Sequence, residues 1–262
     1  MNNTIVITGG ATGIGAATID RLLAEGHEVI NLDIAASNRA GVTNVHCDLS
    51  DARSIDQALG NLPSQFDGLV HVAGVAPGAV PERDVVAINF LGLRHLNRAL
   101  AGSVREGGAI VIVASSIGRD WQDNAANVEG LLDTPDYEAG IEWLGANQDV
   151  WEGNAYKFAK QCAVAYTFRA AGEVKSQGVN VNCVNPGIVE TRLSPWFRDL
   201  VGAQRYDAIN TAVGRPGNPD DIAGVILFLL SDDARWVNGA EFQVDGGYRA
   251  GVTGGWIDVD PV

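Results

Sequence analysis

The sequence predicts an α/β protein with a Rossmann-like, doubly wound parallel sheet of about seven strands. Two observations predict it. Short apolar runs alternate with segments of helical apolar spacing, and a glycine-rich stretch, Thr8–Gly15 (TGGATGIG), lies where the first strand passes into the first helix. In such sheets ligands bind outside the carboxyl ends of the strands. We therefore expect the polar residues at those ends to form the functional site.

Each expected strand is a short apolar run bounded by glycine or polar residues. The seven runs are Thr4–Thr8, Glu28–Leu32, Asn44–Cys47, Gly68–Val72, Ala109–Ala114, Val179–Val184 and Glu241–Val244. Between most of them lie segments with the apolar spacing of a helix, such as Val85–Leu100 and Ile222–Leu230. No internal repeat, linker or low-complexity tract divides the sequence, so residues 1–262 are expected to form one domain.

One stretch, residues 121–154, interrupts this alternation because it contains no strand-like run. It carries eight Asp or Glu residues and no Lys or Arg, together with Trp121, Trp143 and Trp151 and other apolar residues at roughly helical spacing. We expect one or two amphipathic helices, inserted before the helix that carries Tyr156.

The overall charge argues against two classes of partner. The net charge is −14 and the pI is near 4.5, a field that repels nucleic-acid phosphates and anionic lipids, so we expect neither nucleic acid nor membrane as a partner. The longest apolar runs are too short to cross a bilayer, and the first strand begins too early for a signal peptide. We therefore expect a cytoplasmic protein. Three cysteines and four histidines lack ligand spacing and predict no metal site.

The glycine-rich stretch is typical of a dinucleotide site. Gly9, Gly13 and Gly15 allow a tight turn and bring backbone N–H groups close to a pyrophosphate at the start of a helix. Asp33 ends the second strand, where its carboxylate would accept hydrogen bonds from the adenosine ribose and repel the 2′-phosphate of NADP. The nearest cation after it is Arg39. These residues favour NAD over NADP. The alternative interpretation of Asp33 is that it only ends the strand in solvent, with no role in binding.

Tyr156 and Lys160 lie four residues apart on a predicted helix, so their side chains share one face. At about 4 Å the ammonium would stabilise a phenolate by roughly 4 kcal/mol, which would bring the tyrosine pKa from about 10 close to neutrality before desolvation is counted. Such a tyrosine suits general acid/base catalysis of alcohol oxidation. Ser116 or its rival Ser115 would hold the substrate oxygen nearby, and side-chain alternation allows only one of them to face the cleft. Asn89 lies inside a predicted helix, where asparagine is a poor helix former.

Further motifs follow in order along the chain. They are Asp48-Leu49, His71–Gly74 (HVAG), Pro186–Thr191 (PGIVET) and Asp245–Gly247 (DGG). Together with the glycine-rich turn, Asn89, Ser116 and the Tyr156/Lys160 pair, they resemble the short-chain dehydrogenase/reductase family in its short, NAD-dependent branch. The resemblance spans nearly the whole chain.

The resemblance implies a role for each matched residue. Tyr156 would be the acid/base and Ser116 the ligand of the substrate oxygen, since family spacing favours it over Ser115. Lys160 would lower the tyrosine pKa and bind the nicotinamide ribose, while the backbone of Asn89 would hold a water that links Lys160 to solvent. The expected cofactor contacts are Gly9, Thr12, Gly13, Ile14, Gly15, Asp33, Asp48, Leu49, Ala73, Gly74, Tyr156, Lys160, Pro186, Gly187, Ile188 and Thr191.

The sequence departs from the family pattern at two points. His71 replaces an asparagine of the usual NNAG motif, and we expect it to be structural rather than catalytic. The connection from Ser116 to Tyr156 is much longer than usual, because it carries residues 121–154. In this insertion the chain resembles bacterial 3α-hydroxysteroid dehydrogenases/carbonyl reductases, and it is similar to coniferyl-alcohol dehydrogenase-like members. Neither similarity fixes the substrate.

Residues 191–210 follow the Pro-Gly turn, where the family keeps a mobile substrate lid. With the insertion they predict an apolar, aromatic-lined pocket that suits a bulky, ring-bearing alcohol or ketone. The alternative is that these aromatic residues only join the insertion to the body of the protein. The candidate substrate contacts are Trp121, Trp151 and Trp196, and the lid also contains Leu193, Pro195 and Phe197.

The sequence thus predicts an NAD(H)-dependent oxidoreductase that interconverts a bulky, hydrophobic cyclic or aryl secondary alcohol and its ketone. Alternatives are a dehydrogenase of an aryl primary alcohol and a non-catalytic NAD-binding protein. The Tyr–Lys interval disfavours an enoyl reductase or a sugar epimerase, and the acidic insertion disfavours anionic substrates. Because the insertion adjoins the Tyr156 helix, a surface that the family commonly uses to form tetramers, we expect a homodimer, with a tetramer as the alternative.

Overall fold

A seven-stranded, fully parallel sheet forms the centre of the molecule in the computed structural model, which describes residues 2–258. Within these residues the strand order is β3-β2-β1-β4-β5-β6-β7. The strands are β1 (Thr4–Thr8), β2 (Glu28–Asp33), β3 (Val42–His46), β4 (Phe66–His71), β5 (Val104–Val113), β6 (Asn180–Pro186) and β7 (Glu241–Val244). The predicted Rossmann-like, doubly wound sheet is confirmed. Met1 and residues 259–262 of the predicted single domain lie outside the described residues.

Helices connect the strands and cover both faces of the sheet. They are α1 (Gly13–Ala24), α2 (Ala52–Leu59), α3 (Glu82–Val86), α4 (Leu93–Leu100), α5 (Ala125–Leu132), α6 (Tyr137–Ala146), α7 (Gln148–Trp151), α8 (Ala155–Glu173), α9 (Ser194–Val201), α10 (Ala203–Ala212), α11 (Pro219–Leu230) and α12 (Tyr248–Gly254). A π-helical segment, Ala87–Gly92, joins α3 to α4, and the 3₁₀ segments Ser116–Gly118 and Trp121–Asn124 follow β5. None of the helices in the described residues is long and apolar enough to cross a bilayer. In the same residues no three potential metal-binding side chains cluster.

The position of the functional crevice follows from the strand order. Helices α1 and α11 pack together over one face of the sheet, while α4, α8 and the insertion cover the other. The order reverses between β1 and β4, which are neighbours in register from Ile5 and Gly68 to Thr8 and His71. The loops that follow these two strands therefore open a crevice at their carboxyl ends, where α/β sheets of this kind bind ligands.

The insertion consists of α5, α6, the short helix α7 and turns, and a buried arginine of α4 ties it to the body of the protein. The Arg94 side chain is fully buried. Its Nη1 donates to the Leu131 carbonyl at 2.8 Å, and its Nη2 donates to Thr134 Oγ1 at 2.9 Å and to the Asp136 carbonyl at 2.8 Å. Burial lowers the pKa of Arg94 to about 10, so the guanidinium stays charged at neutral pH. Its charge is met by carbonyl and hydroxyl oxygens of the insertion.

Candidate active site

The glycine-rich turn between β1 and α1 closes tightly at the carboxyl end of β1. Gly9 and Gly13 have φ angles of 72° and 59°, which favour glycine. A Cβ atom on Gly15 would overlap the Gly9 carbonyl oxygen. Thr12 is extended and occupies the position before α1, so the first helical turn, with Ile14, begins at the crevice. A compact turn that leads into a helix N-terminus is an anion-binding arrangement.

Asp33 lies beside this turn at the end of β2. Its Oδ2 accepts a hydrogen bond from the Ala11 N–H at 3.0 Å, and its Oδ1 accepts one from the Ala35 N–H at 3.0 Å. The first cation after it in the sequence, Arg39, is held by Asp20 at 2.7 Å between Nη2 and Oδ2. The structure therefore fixes a carboxylate next to the glycine-rich turn, as the sequence predicts.

Asp48 and Leu49 lie in the turn that follows β3. Asp48 Oδ1 accepts hydrogen bonds from the Ser50 N–H at 2.9 Å and from Ser50 Oγ at 2.6 Å. The Asp48 N–H donates to Ser54 Oγ at 2.9 Å. The π-helical segment packs on this turn so closely that a Cβ atom on Gly92 would overlap the Leu49 carbonyl oxygen. The turn is therefore held both by its own hydrogen bonds and by the neighbouring helix.

The side chain of Asn89 holds the loop that follows β4. Its Nδ2 donates to the Val75 carbonyl and its Oδ1 accepts from the Val75 N–H, both at 3.0 Å. A Cβ atom on Gly74 would lie 2.5 Å from Asn89 Oδ1, and Thr8 Oγ1 accepts a hydrogen bond from the Ala73 N–H at 3.1 Å. Because both the oxygen and the nitrogen of this buried amide bind the Val75 backbone, the expected contact of Asn89 with a water falls to its own backbone. That backbone belongs to a π-helical segment, a feature common at functional sites.

The Pro-Gly turn reaches the crevice from the opposite side. Pro186 ends β6, and Gly187 and Ile188 lead from it toward the lid. Thr191 lies across from the glycine-rich turn, since its Cγ2 is 3.6 Å from the position of a Cβ atom built on Gly13. The structure thus brings the two ends of the predicted cofactor site together.

Tyr156 and Lys160 lie in the first turns of α8 and face the end of β5. Lys160 Nζ donates to the Val113 carbonyl at 3.1 Å and lies 5.8 Å from the centre of the Tyr156 ring. Burial raises the pKa of Tyr156 to about 12, and a hydrogen bond with Ser115 opposes this rise. Burial also lowers the pKa of Lys160 to about 8. In the ligand-free protein, desolvation of the phenol is the largest influence on the Tyr156 pKa, and it acts against the fall that the Lys160 charge alone would produce.

The hydroxyl of Ser115 lowers the pKa of the Tyr156 phenol, so the structure favours Ser115 over the Ser116 expected from family spacing. Strand β5 ends at Val113, and Ser115 caps the 3₁₀ segment Ser116–Gly118, accepting a hydrogen bond from the Ile117 N–H at 3.4 Å. Because the strand has already ended, side-chain alternation no longer decides which hydroxyl faces the cleft.

Two of the three tryptophans predicted to contact substrate do not lie beside Tyr156. Trp151 is buried, and its Nε1 donates to the Leu144 carbonyl at 3.0 Å inside the insertion. Trp121 packs against Phe168 with 6.2 Å between ring centroids. Phe168 lies twelve residues beyond Tyr156 on α8, or about 18 Å along the helix axis at 1.5 Å per residue. Both expectations are corrected, because these side chains pack within the insertion and against the middle of α8.

Phe197, in the expected lid segment 191–210, packs on the ring of Tyr156. The two rings meet edge to face, with 5.1 Å between their centroids and an angle of 63° between their planes. The neighbouring Trp196 lies across from Gly78, in the loop after β4, with its Cδ1 3.7 Å from the position of a Cβ atom there. Trp196 therefore stays a candidate substrate contact at the rim. The sequence placed Phe197 in the lid but offered no signal that it would point toward Tyr156.

His71 joins the sheet to two helices. It is 1% exposed at the end of β4, and its Nε2 lies 3.1 Å from Asn97 Oδ1. Asn97 Nδ2 in turn donates to the Tyr166 hydroxyl at 3.0 Å. Burial lowers the pKa of His71 to about 4, so the imidazole is neutral at pH 7. These contacts fit the structural role expected from the sequence.

Two family models match the chain. The model described as short chain dehydrogenase matches residues 3–127, and the model described as enoyl-(acyl carrier protein) reductase matches residues 140–249. Coniferyl-alcohol dehydrogenase of Pseudomonas sp. (strain HR199 / DSM 7063) is 34% identical over 247 residues, which are 94% of this chain and 96% of that protein. The 3-alpha-hydroxysteroid dehydrogenase/carbonyl reductase of Comamonas testosteroni is 31% identical over 253 residues, with the same two coverages.

A solved structure with bound cofactor is also similar. The 3-alpha-hydroxysteroid dehydrogenase of Pseudomonas sp. B-0831, complexed with NADH, has a TM-score of 0.78 and 30% sequence identity, covering 95% of this chain and 98% of that one. The sheet order, the site residues and these similarities lead to one conclusion. The chain belongs to the short-chain dehydrogenase/reductase family and is an oxidoreductase of the kind that uses a nicotinamide cofactor.

Proposed function

We propose that the protein interconverts a bulky, hydrophobic secondary alcohol, cyclic or aryl, and its ketone, with NAD(H) as cofactor. The observation that carries this proposal is the packing of Phe197 against the Tyr156 ring at 5.1 Å. An apolar ring of the lid lies next to the reacting phenol, so the site favours substrates that offer a flat apolar surface. Coniferyl alcohol and hydroxysteroids, named as substrates of the two relatives, are both ring-bearing alcohols.

The residues of the crevice fit a nicotinamide dinucleotide. The closely packed glycine-rich turn and the start of α1 would take the pyrophosphate, and Asp33 would take the adenosine ribose. Asp48 would bind the adenine amino group, with Leu49 beside it. At the other end, Ile188 and Thr191 would meet the nicotinamide carboxamide. The remaining contacts proposed for the cofactor are Ala73, Gly74, Pro186 and Gly187, together with the side chains of Tyr156 and Lys160.

The cofactor we propose is NAD rather than NADP. The Asp33 carboxylate is held in place by two backbone N–H groups, and Arg39 is engaged by Asp20. A 2′-phosphate would therefore meet a negative charge and no available guanidinium from Arg39. Turnover with NAD and NADP, measured for the wild type and for Asp33→Ala, tests this. We expect the wild type to prefer NAD and Asp33→Ala to lose much of that preference, whereas a wild-type preference for NADP would contradict the assignment.

Side chains of the protein would transfer the proton to or from the substrate oxygen, while the bound nicotinamide exchanges hydride with the substrate carbon. Ser115, rather than Ser116, would donate a hydrogen bond to the substrate oxygen and hold it beside Tyr156. Because burial raises the Tyr156 pKa to about 12, the phenol is protonated at neutral pH, the state needed to protonate a ketone oxygen. Lys160, whose pKa is about 8, would exchange the proton with solvent through a water held by the Asn89 backbone.

A panel of ketones and alcohols, followed by NADH absorbance, tests the substrate class. It includes steroids, terpenoids, aryl alcohols, amino alcohols and a small aliphatic alcohol. Phe197→Ala should lower kcat/KM for ring-bearing substrates about three- to tenfold, the range for one aromatic contact, and change the small alcohol little. Phe168→Ala, a matched change on α8 about 18 Å along the helix axis from Tyr156, should leave both unaffected. Efficient turnover of an acyl-CoA or a free acid, with none of ring-bearing alcohols, would contradict the proposal.

A dehydrogenase of an aryl primary alcohol is the second candidate. The 34% identity to coniferyl-alcohol dehydrogenase favours it. Primary and secondary alcohols that carry the same aryl ring decide between the two, because only the substituent on the reacting carbon differs. A higher kcat/KM for the primary alcohol would select this second candidate.

We propose a homodimer as the assembly. Helices α5 and α6 of the insertion cover the face formed by α4 and α8. At the β7 edge of the sheet, Phe228 packs on Phe242, and Trp236, in the loop that leads to β7, is 96% exposed. An exposed tryptophan beside an edge strand suits contact with a second copy of this chain.

A further inference from the structure

The insertion touches the turn that follows β3, far from it in sequence. Tyr137, the first residue of α6, is 6% exposed, and its hydroxyl donates to the Ser50 carbonyl at 2.7 Å. The same hydroxyl lies 3.5 Å from the Leu49 carbonyl. The phenol therefore binds the backbone of the segment Asp48–Ser50, which carries the two residues proposed to contact adenine.

Tyr137 is itself held firmly in place. Its ring packs edge to face on His95 at 6.0 Å, and His95 Nε2 lies 2.9 Å from Asp56 Oδ1. The preceding residue, Asp136, gives its carbonyl to the buried Arg94 at 2.8 Å and caps α6 through its side chain. A hydroxyl carried by so constrained a side chain can fix the group that it binds.

The contacts form a closed chain around the turn. Gly92 packs on Leu49 from one side, Arg94 follows Gly92 on α4, and Arg94 holds Asp136 next to Tyr137. The hydroxyl of Tyr137 then returns to the same turn from the other side. Burial, aided by nearby Asp48 and Asp51, raises the pKa of Tyr137 well above its usual value, so the phenol keeps its proton and remains a donor.

We propose that Tyr137 is a positioning residue through which the insertion fixes the Asp48–Ser50 turn for the adenine half of the cofactor. The inference rests on the proposed adenine contacts of Asp48 and Leu49. Without the hydroxyl, the Ser50 carbonyl loses its partner in the insertion. The turn then keeps only its own hydrogen bonds and the packing of Gly92, so dinucleotide binding has to supply the rest of its ordering. The free energy of ordering the turn therefore weakens binding of the adenine half of the cofactor and leaves the chemical step unchanged.

The test compares Tyr137→Phe with Tyr166→Phe. Both variants lose one buried hydroxyl, but that of Tyr166 accepts from Asn97 inside the core, away from the turn. Dissociation constants for NADH and for adenosine monophosphate are measured by fluorescence titration and calorimetry. Tyr137→Phe should raise both constants about three- to tenfold, the value of one hydrogen bond, with kcat at saturating NAD unchanged. Tyr166→Phe should leave both constants at the wild-type value.

Three outcomes would overturn the proposal. Tyr137→Phe could bind adenosine monophosphate as tightly as the wild type, both variants could weaken it equally, or kcat could fall while binding is unchanged. Because the readout is binding, an error in the proposed alcohol substrate would leave the result intact. Asp48→Ala, which removes the acceptor for the adenine amino group, separates the remaining case: if it too binds adenosine monophosphate normally, the adenine assignment fails and the proposal with it.

Discussion

Ser115→Ala removes the hydroxyl that is hydrogen-bonded to Tyr156. In the proposed mechanism this hydroxyl donates to the substrate oxygen as negative charge develops there. Loss of one such donor lowers kcat by about 10²–10³, equivalent to about 3–4 kcal/mol of barrier. Ser116→Ala removes the same group one residue further on, inside the 3₁₀ segment, and should lower kcat by less than about threefold, as for an ordinary surface change.

Ketone reduction, followed by the loss of NADH absorbance at saturating cofactor, gives kcat and KM for both variants. Urea unfolding of each variant checks that neither loses its fold. The pH profile adds a second readout: since the Ser115 hydrogen bond lowers the Tyr156 pKa, its removal should move any limb controlled by that phenol to higher pH. A larger loss of kcat in Ser116→Ala than in Ser115→Ala, with both variants equally stable, would refute this reasoning.

Three further predictions concern stability and assembly. Arg94→Met should lower the free energy of unfolding in urea by about 3 kcal/mol, because four acceptors of the insertion lose the guanidinium that donates to them; a loss below about 1 kcal/mol would mean that other contacts hold the insertion. The folded protein keeps His71 neutral down to about pH 4, whereas the unfolded chain takes up this proton near pH 6.5. Stability should therefore fall by about 3 kcal/mol as the pH drops across that window, and His71→Asn should remove this part of the slope; an unchanged slope would count against it. Trp236→Arg should convert the dimer to a monomer in light scattering, and an unaltered mass would place the interface elsewhere.

The sheet could be predicted because each buried parallel strand is a short apolar run, a pattern carried by local sequence. Strand β5 shows where this fails. It begins at Val104 rather than at Ala109, since its first half contains Arg105 and Glu106, which are exposed at the edge of the fold and carry no apolar signal.

The glycine-rich turn and the carboxylate at the end of β2 could also be predicted from sequence, because in this fold their position after a strand is typical of a dinucleotide site. Ser115 was not, since the choice between two adjacent serines depends on where β5 ends. The four-residue spacing predicts that Tyr156 and Lys160 share a helix face. It does not predict how far each side chain is removed from water, which is the largest influence on both pKa values. Helical spacing put Trp151 on an apolar face without saying which neighbour would cover it. The contact of Tyr137 with Ser50 joins residues 87 positions apart, beyond any local pattern.

The buried guanidinium of Arg94 makes the length of the insertion hard to change by single steps. Trimming residues 121–154 to a short loop would delete every oxygen that now surrounds this cation and strand it in the core. Replacing the arginine first would instead remove a charged donor from the Leu131 and Leu132 carbonyls at the end of α5. Either change made alone gives a less stable protein. The length of the insertion and the residue at position 94 must therefore change together. A shortened enzyme should be attempted only with an apolar residue installed at position 94 at the same time.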